Sequence, residues 1–145
     1  MIPVYDDYAH HPTEIKASLQ ALREKYSKSA GFRIVCVFQP HQAERLKSLF
    51  KDFTSAFDEA DDLILLPVYE VSGRDKKNKK FTSEKLAKAV KLRNLSLGIR
   101  SLVLYLPHPE KLPFVIRNLD LGIRNSAIVM MGAGDIFKQT DFLLR

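Results

Sequence analysis

The segment DDYAHHPTE, residues 6–14, decides the fold because it joins a short apolar start to an amphipathic helix. Pro12 suits the first turn of a helix, where its missing N–H costs nothing, and Glu14 suits the positive end of the helix dipole. The apolar residues 1–5 predict a strand, so the segment is a strand-to-helix turn at the mouth of a sheet. Four ionisable side chains lie in this turn: Asp6, Asp7, His10 and His11.

The rest of the chain repeats the order of strand and then helix. Continuous apolar runs, typical of strands buried on both faces, occupy residues 34–38, 63–68, 102–106 and 127–131. Apolar residues spaced three and four apart predict helices at about 12–26, 42–56, 83–94 and 110–119, and a short last helix containing Phe137 and Leu144. The pattern predicts an α/β fold, a Rossmann-like three-layer αβα domain with a mostly parallel sheet, spanning residues 1–145.

Composition sets broad limits on the class of protein. The 145 residues are enough for one core, and 46% hydrophobic and 28% charged residues are typical of a globular domain. No apolar stretch approaches the roughly 20 residues that span a bilayer, so we expect no membrane partner. The single cysteine, Cys36, excludes an intramolecular disulfide and agrees with a cytoplasmic location.

The net charge of +6 and the pI near 9.5 raise the question of nucleic acid. Much of the excess lies in one predicted loop, which contains Arg74, Lys76, Lys77, Lys79 and Lys80. No aromatic residues alternate with these cations, and no nucleic-acid motif is present. A solvated basic loop is favoured over a nucleic-acid site, although the positive field would also favour an anionic substrate.

Polar residues gather where the predicted strands end. All four histidines follow strands: His10, His11, His41 and His108. The same holds for Asp6, Asp7, Tyr69, Glu70 and Asp135. Because ligands of open α/β sheets bind outside the carboxyl ends of the strands, this distribution predicts a functional rim.

Several familiar sites are not supported. The aspartates and histidines of residues 6–11 lack further metal-ligand spacing, so we expect no metal site. The turn Gly132-Ala133-Gly134-Asp135 resembles a dinucleotide fingerprint in two glycines only, because Phe137 stands where the third should be; it remains a possible anion-facing helix start. No G-x-x-x-x-G-K-[ST] loop and no G-x-S-x-G motif occur. Any ATP chemistry therefore needs a triphosphate site in another domain.

Four motifs in sequence order carry a family resemblance: DDYAHHPTEI (6–15), VFQPH (37–41), VYEVSGR (68–74) and VMMGAGDI (129–136). Together they resemble the C-terminal domain of Mur ligases, across essentially the whole chain. The resemblance implies a cytoplasmic, ATP-dependent ligase of peptidoglycan precursor synthesis. It places the chain nearest to the branch that joins L-alanine to UDP-N-acetylmuramate. The UDP-binding domain and the central ATPase domain, which holds most of the ATP and Mg²⁺, would be separate from this chain, and the isolated domain is expected to be inactive.

The resemblance also assigns residues. The ATP side of the domain junction would contain Asp6, Asp7, His10 and His11. The amino-acid side would contain His41, Arg45, Tyr69, Glu70, Gly132, Gly134 and Asp135. No catalytic residue is expected in this domain alone. Gln42 replaces the first arginine of the family pattern F-Q-P-H-R-x-x-R, which removes one cation from the expected carboxylate clamp. Without the resemblance, Arg45 would be assigned to a surface ion pair with Glu44 or Asp52.

Other functions remain open from the sequence alone. Within the same class, the protein is alternatively the ligase that attaches recycled muropeptide to UDP-N-acetylmuramate. From other classes, it is a stand-alone α/β binding module or a nucleic-acid binder that uses the basic loop. The resemblance further suggests one antiparallel edge strand, near Val71 or near the C-terminus.

Overall fold

The computed structural model describes residues 2–70, 80–119 and 125–144. The strands within these residues are β1 (Val4–Asp7), β2 (Arg33–Phe38), β3 (Asp62–Leu65), β4 (Leu102–Tyr105) and β5 (Ser126–Met131). The helices are α1 (Pro12–Lys25), α2 (Ala43–Ser48), α3 (Phe50–Thr54), α4 (Ser83–Ser96), α5 (Leu112–Asn118) and α6 (Phe137–Leu143), with a 3₁₀ turn at Pro109–Lys111. In the part of the chain that is described, no helix is long and apolar enough to cross a membrane.

The five strands form one sheet in the order β1-β5-β2-β3-β4, and every pairing between them is parallel. The predicted mostly parallel sheet is confirmed. Every position of β5, and every position of β2 after Arg33, is buried, as the continuous apolar runs require. Because the strands are parallel, they all end at one edge, called here the carboxyl edge; the opposite edge is the amino edge.

Helices cover both faces of the sheet and give the predicted three layers. On one face Ile34, Cys36 and Phe38 of β2 belong to a core that includes residues of α1 to α4. On the other face Val35 and Val37 belong to a core that includes residues of α5 and α6. Alternate residues of one strand therefore serve two cores, which explains why the run from residue 34 to 38 is apolar throughout.

Helix α1 begins as its sequence predicts. His11 is the N-cap, Pro12 is the first helical residue, and the Glu14 carboxylate accepts from the His11 backbone N–H at 3.1 Å. The His11 side chain in turn accepts from the Thr13 backbone N–H at 3.4 Å. This reciprocal capping satisfies N–H groups that the helix leaves unpaired. The helix ends at Lys25, one residue before the predicted end.

The predicted helix over residues 42–56 is wrong as a single element. It divides into α2 and α3 at Leu49, whose φ of −116° and ψ of 17° are not helical. The break turns α3 so that Phe53 packs against Phe38, with ring centroids 5.8 Å apart. Phe57, beyond α3, packs against the same ring at 5.2 Å. Aromatic packing on the sheet thus takes precedence over helix continuity.

Other boundaries differ for local reasons. Strand β3 ends at Leu65 rather than at residue 68, because Pro67 has no N–H to continue the ladder. The helix predicted at 110–119 begins as a 3₁₀ turn, in which the Lys111 N–H bonds the His108 carbonyl at 3.0 Å. The C-terminus carries α6 rather than an antiparallel strand. Val71 and all of the basic loop except Lys80 lie outside the described residues.

Candidate functional site

The two aspartates of the opening motif are the last residues of β1, whereas the sequence placed them in the turn beyond it. The Thr140 hydroxyl of α6 donates to Asp6 Oδ1 at 2.5 Å. Asp7 Oδ1 accepts from the Ala9 backbone N–H at 2.9 Å. Each carboxylate is therefore fixed by one hydrogen bond and keeps further acceptor capacity at the carboxyl edge.

A cleft of about 390 Å³ lies between the carboxyl ends of β1 and β5, called here the β1–β5 cleft. It is lined by Asp6, Asp7, Tyr8, Met130, Gly132, Ala133, Gly134, Ile136 and Phe137. Helix α1 follows β1 on one face of the sheet and α6 follows β5 on the other, which leaves space between the two strands. Tyr8 and Phe137 line the cleft and are 72% and 55% exposed. Its volume is in the range of small-molecule sites.

The glycine turn after β5 packs too closely for side chains. A Cβ on Gly134 would lie 2.5 Å from Tyr69 Cγ and 2.7 Å from Gln39 Oε1, and one on Gly132 would lie 2.9 Å from the Gln39 carbonyl oxygen. The Gly132 N–H also donates to the Asp7 carbonyl at 3.0 Å. The two glycines thus allow a close approach of backbone and side chains. Helix α6 begins only at Phe137, so the turn is not the first turn of that helix.

Gln39 is a site residue that the sequence analysis missed. Its side chain is 6% exposed, and its Nε2 donates to Asp135 Oδ1 at 2.8 Å. Among the described residues its Oε1 is buried without a hydrogen-bond partner. The sequence did contain a signal for Gln39: it is a polar residue directly after the apolar run of β2. His41 was predicted as a site residue because it follows the same run.

The predicted pair of His41 and Arg45 is present. Arg45 Nη1 lies 3.4 Å from His41 Nδ1, and because the guanidinium has only donors, His41 Nδ1 is the acceptor in this contact. The Tyr69 ring stacks on the His41 ring at 5.4 Å with an interplanar angle of 14°. Within the described chain Arg45 makes no ion pair with Glu44 or Asp52. It is half-buried, and its guanidinium remains able to bind an anion.

Gln42, which precedes α2, has a backbone conformation that L-residues rarely adopt, with φ of 69° and ψ of 123°. Its N–H donates to the Tyr69 carbonyl at 3.0 Å, and the Tyr69 N–H donates to the Pro40 carbonyl at 2.8 Å. These bonds hold the strained residue and direct the first turn of α2 so that Arg45 returns to His41. Backbone strain of this kind is common at functional sites.

His10 lies between the β1–β5 cleft and the His41–Arg45 pair. Its ring centroid is 5.5 Å from that of Tyr8 and 6.2 Å from that of His41. His10 Nδ1 is 3.6 Å from the carboxylate of Glu14, whose pKa is held below its usual value mainly by the hydrogen bond from the His11 backbone N–H. The side chain of His11 caps α1.

The predicted residues all lie at the carboxyl edge, but not all of them contact one another. Glu70 follows Tyr69, is half-buried, and has no side-chain hydrogen bond or ion pair with other described residues. His108 follows β4, the strand at the other side of the sheet from β1, and is 61% exposed. Within residues 2–70, 80–119 and 125–144, no three His, Cys, Asp or Glu side chains are grouped so as to hold a metal ion.

Residues 1–134 match the family described as "Mur ligase, glutamate ligase domain". The chain belongs to the Mur ligase family. The curated relatives of this Mur ligase domain include the UDP-N-acetylmuramate–L-alanine ligase of Clostridium perfringens, which is 38% identical over 99% of this chain and 28% of the relative. The enzyme of the same name from Allorhizobium ampelinum is 41% identical over 93% of this chain and 26% of the relative. The Mur ligase domain therefore spans about a quarter of the length of these relatives.

Solved structures agree with the fold of this Mur ligase domain. The UDP-N-acetylmuramate–alanine ligase of Thermotoga maritima superposes with a TM-score of 0.66 at 25% identity, covering 97% of this chain and 26% of that one. A murein peptide ligase from Psychrobacter arcticus gives a TM-score of 0.64 at 20% identity, covering 97% of this chain and 26% of that one. At that identity the second likeness shows the fold alone.

Proposed function

We propose that this chain is the amino-acid-binding, C-terminal domain of an ATP-dependent ligase that joins L-alanine to UDP-N-acetylmuramate in peptidoglycan precursor synthesis. The observation that carries the proposal is the His41–Arg45 pair, fixed beneath the Tyr69 ring at the carboxyl edge. The relatives that share 38% and 41% identity with the chain are named for this substrate pair, which favours alanine over other amino acids.

In this proposal the carboxylate of alanine binds the guanidinium of Arg45. A charge-assisted hydrogen bond from a guanidinium to a carboxylate is among the stronger polar contacts in proteins. Tyr69 keeps the His41 ring in place by stacking, and His41 Nδ1 accepts from Arg45, so both residues orient the guanidinium. Alanine held by its carboxylate presents its amine toward the rest of the site.

The β1–β5 cleft fits the base and ribose of a nucleotide better than its phosphates. The described side chains that line it are aromatic, aliphatic and acidic, and none of them is a cation. Tyr8 and Phe137 offer ring faces to a base, and Asp6 and Asp7 offer acceptors to ribose hydroxyls, whereas the two carboxylates would repel a triphosphate. We therefore assign the phosphates and Mg²⁺ to other parts of the ligase.

The chain's role in the reaction is to bind and position. ATP supplies the phosphoryl group that activates the carboxylate of UDP-N-acetylmuramate for attack by the alanine amine. Arg45 and His41 fix the attacking amino acid, and the β1–β5 cleft closes over the nucleoside. Both subsites lie on the same edge, and Gly134 of the cleft packs against Tyr69, whose ring stacks on His41, so one domain movement closes them together.

The proposal is tested in the intact ligase with Arg45→Ala. Loss of the charge-assisted bond, worth about 1.5–3 kcal/mol, should raise the alanine KM roughly 10- to 150-fold while the KM values for ATP and UDP-N-acetylmuramate stay nearly unchanged. Gln42→Arg, which restores the family clamp, should lower the alanine KM. The matched control is Lys47→Ala, which removes an exposed cation from the same helix.

An unchanged alanine KM in Arg45→Ala would contradict the proposed subsite. Turnover of a muropeptide in preference to alanine by the unaltered enzyme would contradict the proposed substrate and favour the recycling ligase.

A further inference from the structure

A second surface, unrelated to the carboxyl edge, is formed by the end of α4 and the start of β4. Five aliphatic side chains within eleven residues are 38–76% exposed: Leu92, Leu95, Leu97, Ile99 and Leu102. They are called here the aliphatic patch. Helix α4 already buries Leu86 and Val90 in the core, and Leu92 and Leu95 face away from it. Grouped exposed aliphatic residues of this kind are typical of interaction surfaces.

The patch borders a cavity of about 740 Å³ near the amino edge, which Leu95, Ile99 and Leu102 line together with Arg100. The segment that forms the wall is fixed. The Asn94 side chain donates to Ser101 Oγ at 2.7 Å, and the Asn94 carbonyl accepts from the Ile99 N–H at 2.9 Å. The segment between α4 and β4 is therefore held in one arrangement, and it lines an open groove.

Charge determines which partner suits the patch. Residues 85–107 contain five cations and no carboxylate. Arg93 is paired with Asp58, but Lys88, Lys91 and Arg100 are exposed and make no ion pair with any described residue. The carboxylates that line the groove are already engaged, Asp61 by Arg23 and Lys28 and Asp62 by Arg33. The surface available to a partner is thus apolar and positive.

We propose that the aliphatic patch and its groove bind an acidic, apolar segment of another protein. The aliphatic side chains of the segment enter the groove beside Leu95 and Leu102, and one of its carboxylates pairs with Arg100. A second copy of this chain is disfavoured, because two such positive surfaces repel and the whole chain carries +6. A lipid surface is disfavoured because a groove suits protruding side chains better than a flat bilayer does. The patch lies away from the carboxyl edge, so a partner can bind it while the proposed active site works.

The experiment selects binders from a displayed library of 16-residue peptides on the folded chain and measures their affinity by fluorescence anisotropy. We expect peptides that combine Leu, Ile or Phe with Asp or Glu. Both Leu95→Ser/Leu102→Ser and Arg100→Glu should weaken them by about tenfold or more. The matched controls are Phe114→Ser/Leu144→Ser and Arg117→Glu, which alter exposed residues on and near α5 and α6 and should leave affinity unchanged.

Three results would overturn the proposal. The first is that no selected peptide binds the patch variants more weakly while it binds the control variants with unchanged affinity. The second is patch-dependent binding to vesicles of phosphatidylcholine and phosphatidylglycerol without any peptide binding. The third is self-association that Leu95→Ser/Leu102→Ser abolishes. Thermal melting of each variant confirms folding, which these exposed positions should not disturb.

Discussion

Gly134 connects the two halves of the candidate site, because the Tyr69 ring occupies the space that a Cβ would need. The same ring stacks on His41. We predict that Gly134→Ala destabilises the domain by about 1–3 kcal/mol through overpacking and moves Tyr69 from His41. Chemical denaturation measures the first effect. The second appears as a downfield shift of the His41 ring protons in NMR, since ring-current shielding by Tyr69 is lost.

The double variant Gly134→Ala/Tyr69→Ala is the control, because removal of the ring removes the contacts with Tyr69 and leaves the one with Gln39 Oε1 at 2.7 Å. The added Cβ should therefore lower the unfolding free energy less in the Tyr69→Ala background than in the unaltered chain. If Gly134→Ala costs as much without the ring as with it, Tyr69 is not the reason for the glycine.

Glu14 gives a prediction for pH. Its carboxylate caps α1, and its pKa is lowered mainly by the His11 N–H, so the folded state holds a proton less readily than the unfolded state. The stability from this carboxylate is present above the unfolded pKa and is lost as pH falls through the folded pKa. Glu14→Gln should therefore destabilise the domain by about 0.3–1 kcal/mol at pH 7. The difference in unfolding free energy between Glu14→Gln and the unaltered chain should shrink toward zero in acid.

Urea denaturation of both proteins at pH 7, 5 and 3.5 measures this difference. Glu24→Gln, an exposed residue near the other end of the same helix, is the control. A deficit that stays constant across the three pH values would show that the ionised cap is not responsible.

At the scale of single residues, polar residues that follow apolar runs were correctly predicted to lie at the carboxyl edge of the sheet. His41 and Arg45 meet as predicted, because four residues make about one helical turn. The contacts of Gln39 and Tyr69 with the turn after β5 were not predictable, since they depend on the approach of that turn to the ends of β2 and β3. Such contacts link residues about 65 to 95 positions apart and leave no periodic signal.

Between elements, the ion pair of Arg33 and Asp62 joins the amino ends of β2 and β3. The Asp62 side chain is 2% exposed, its Oδ2 lies 2.6 Å from Arg33 Nη2, and burial raises its pKa despite the guanidinium. Removing one partner of a buried pair costs about 3–5 kcal/mol. The Arg33 side chain is 42% exposed, so water can replace it. We therefore predict that Arg33→Ala lowers the free energy of unfolding by about 3 kcal/mol or less.

The sign of the pH dependence follows from the raised pKa. Without Arg33 the pKa of Asp62 rises further, so the folded variant binds a proton more readily than its unfolded chain does. The loss of unfolding free energy in Arg33→Ala should be largest at neutral pH. It should diminish as pH falls through the pKa of Asp62 in the folded variant. Denaturation at pH 7 and pH 5 measures this. Lys28→Ala, whose exposed ammonium lies 3.7 Å from Asp61, is the control and should cost little. An equal deficit at both pH values would contradict the argument.

At the scale of elements, apolar runs predicted all five strands. Strands β2, β3 and β5 are buried at nearly every position, whereas the edge strands β1 and β4 are only partly buried. Helix continuity was harder to predict. The run of apolar residues through α2 and α3 has a helical period, but packing of Phe53 on Phe38 rotates its second half. The period of the apolar residues predicts which of them are buried, but it does not predict whether they lie on one continuous helix.

For the whole molecule, we predict that the isolated chain folds and does not hydrolyse ATP. The sequence contains no phosphate-binding loop, and the described side chains that line the β1–β5 cleft include two carboxylates and no cation. A coupled assay of released phosphate measures turnover, with the intact ligase as the positive control. Phosphate release by the purified chain that persists through repeated chromatography would overturn the assignment of the phosphates to other parts of the enzyme.

The position of β5 in the sheet has a consequence for synthesis. Among the residues that the structure describes, residues 4–7 pair only with residues 128–131, and β5 also separates β1 from β2. While the ribosome is still making the chain, β2, β3 and β4 can assemble, but β1 has no partner until the last strand emerges. Long-range parallel pairing of this kind is slow, and the waiting strands expose edges that invite aggregation. The cleft is therefore the last part of the domain to form, and a chain that stops short of residue 126 cannot form it.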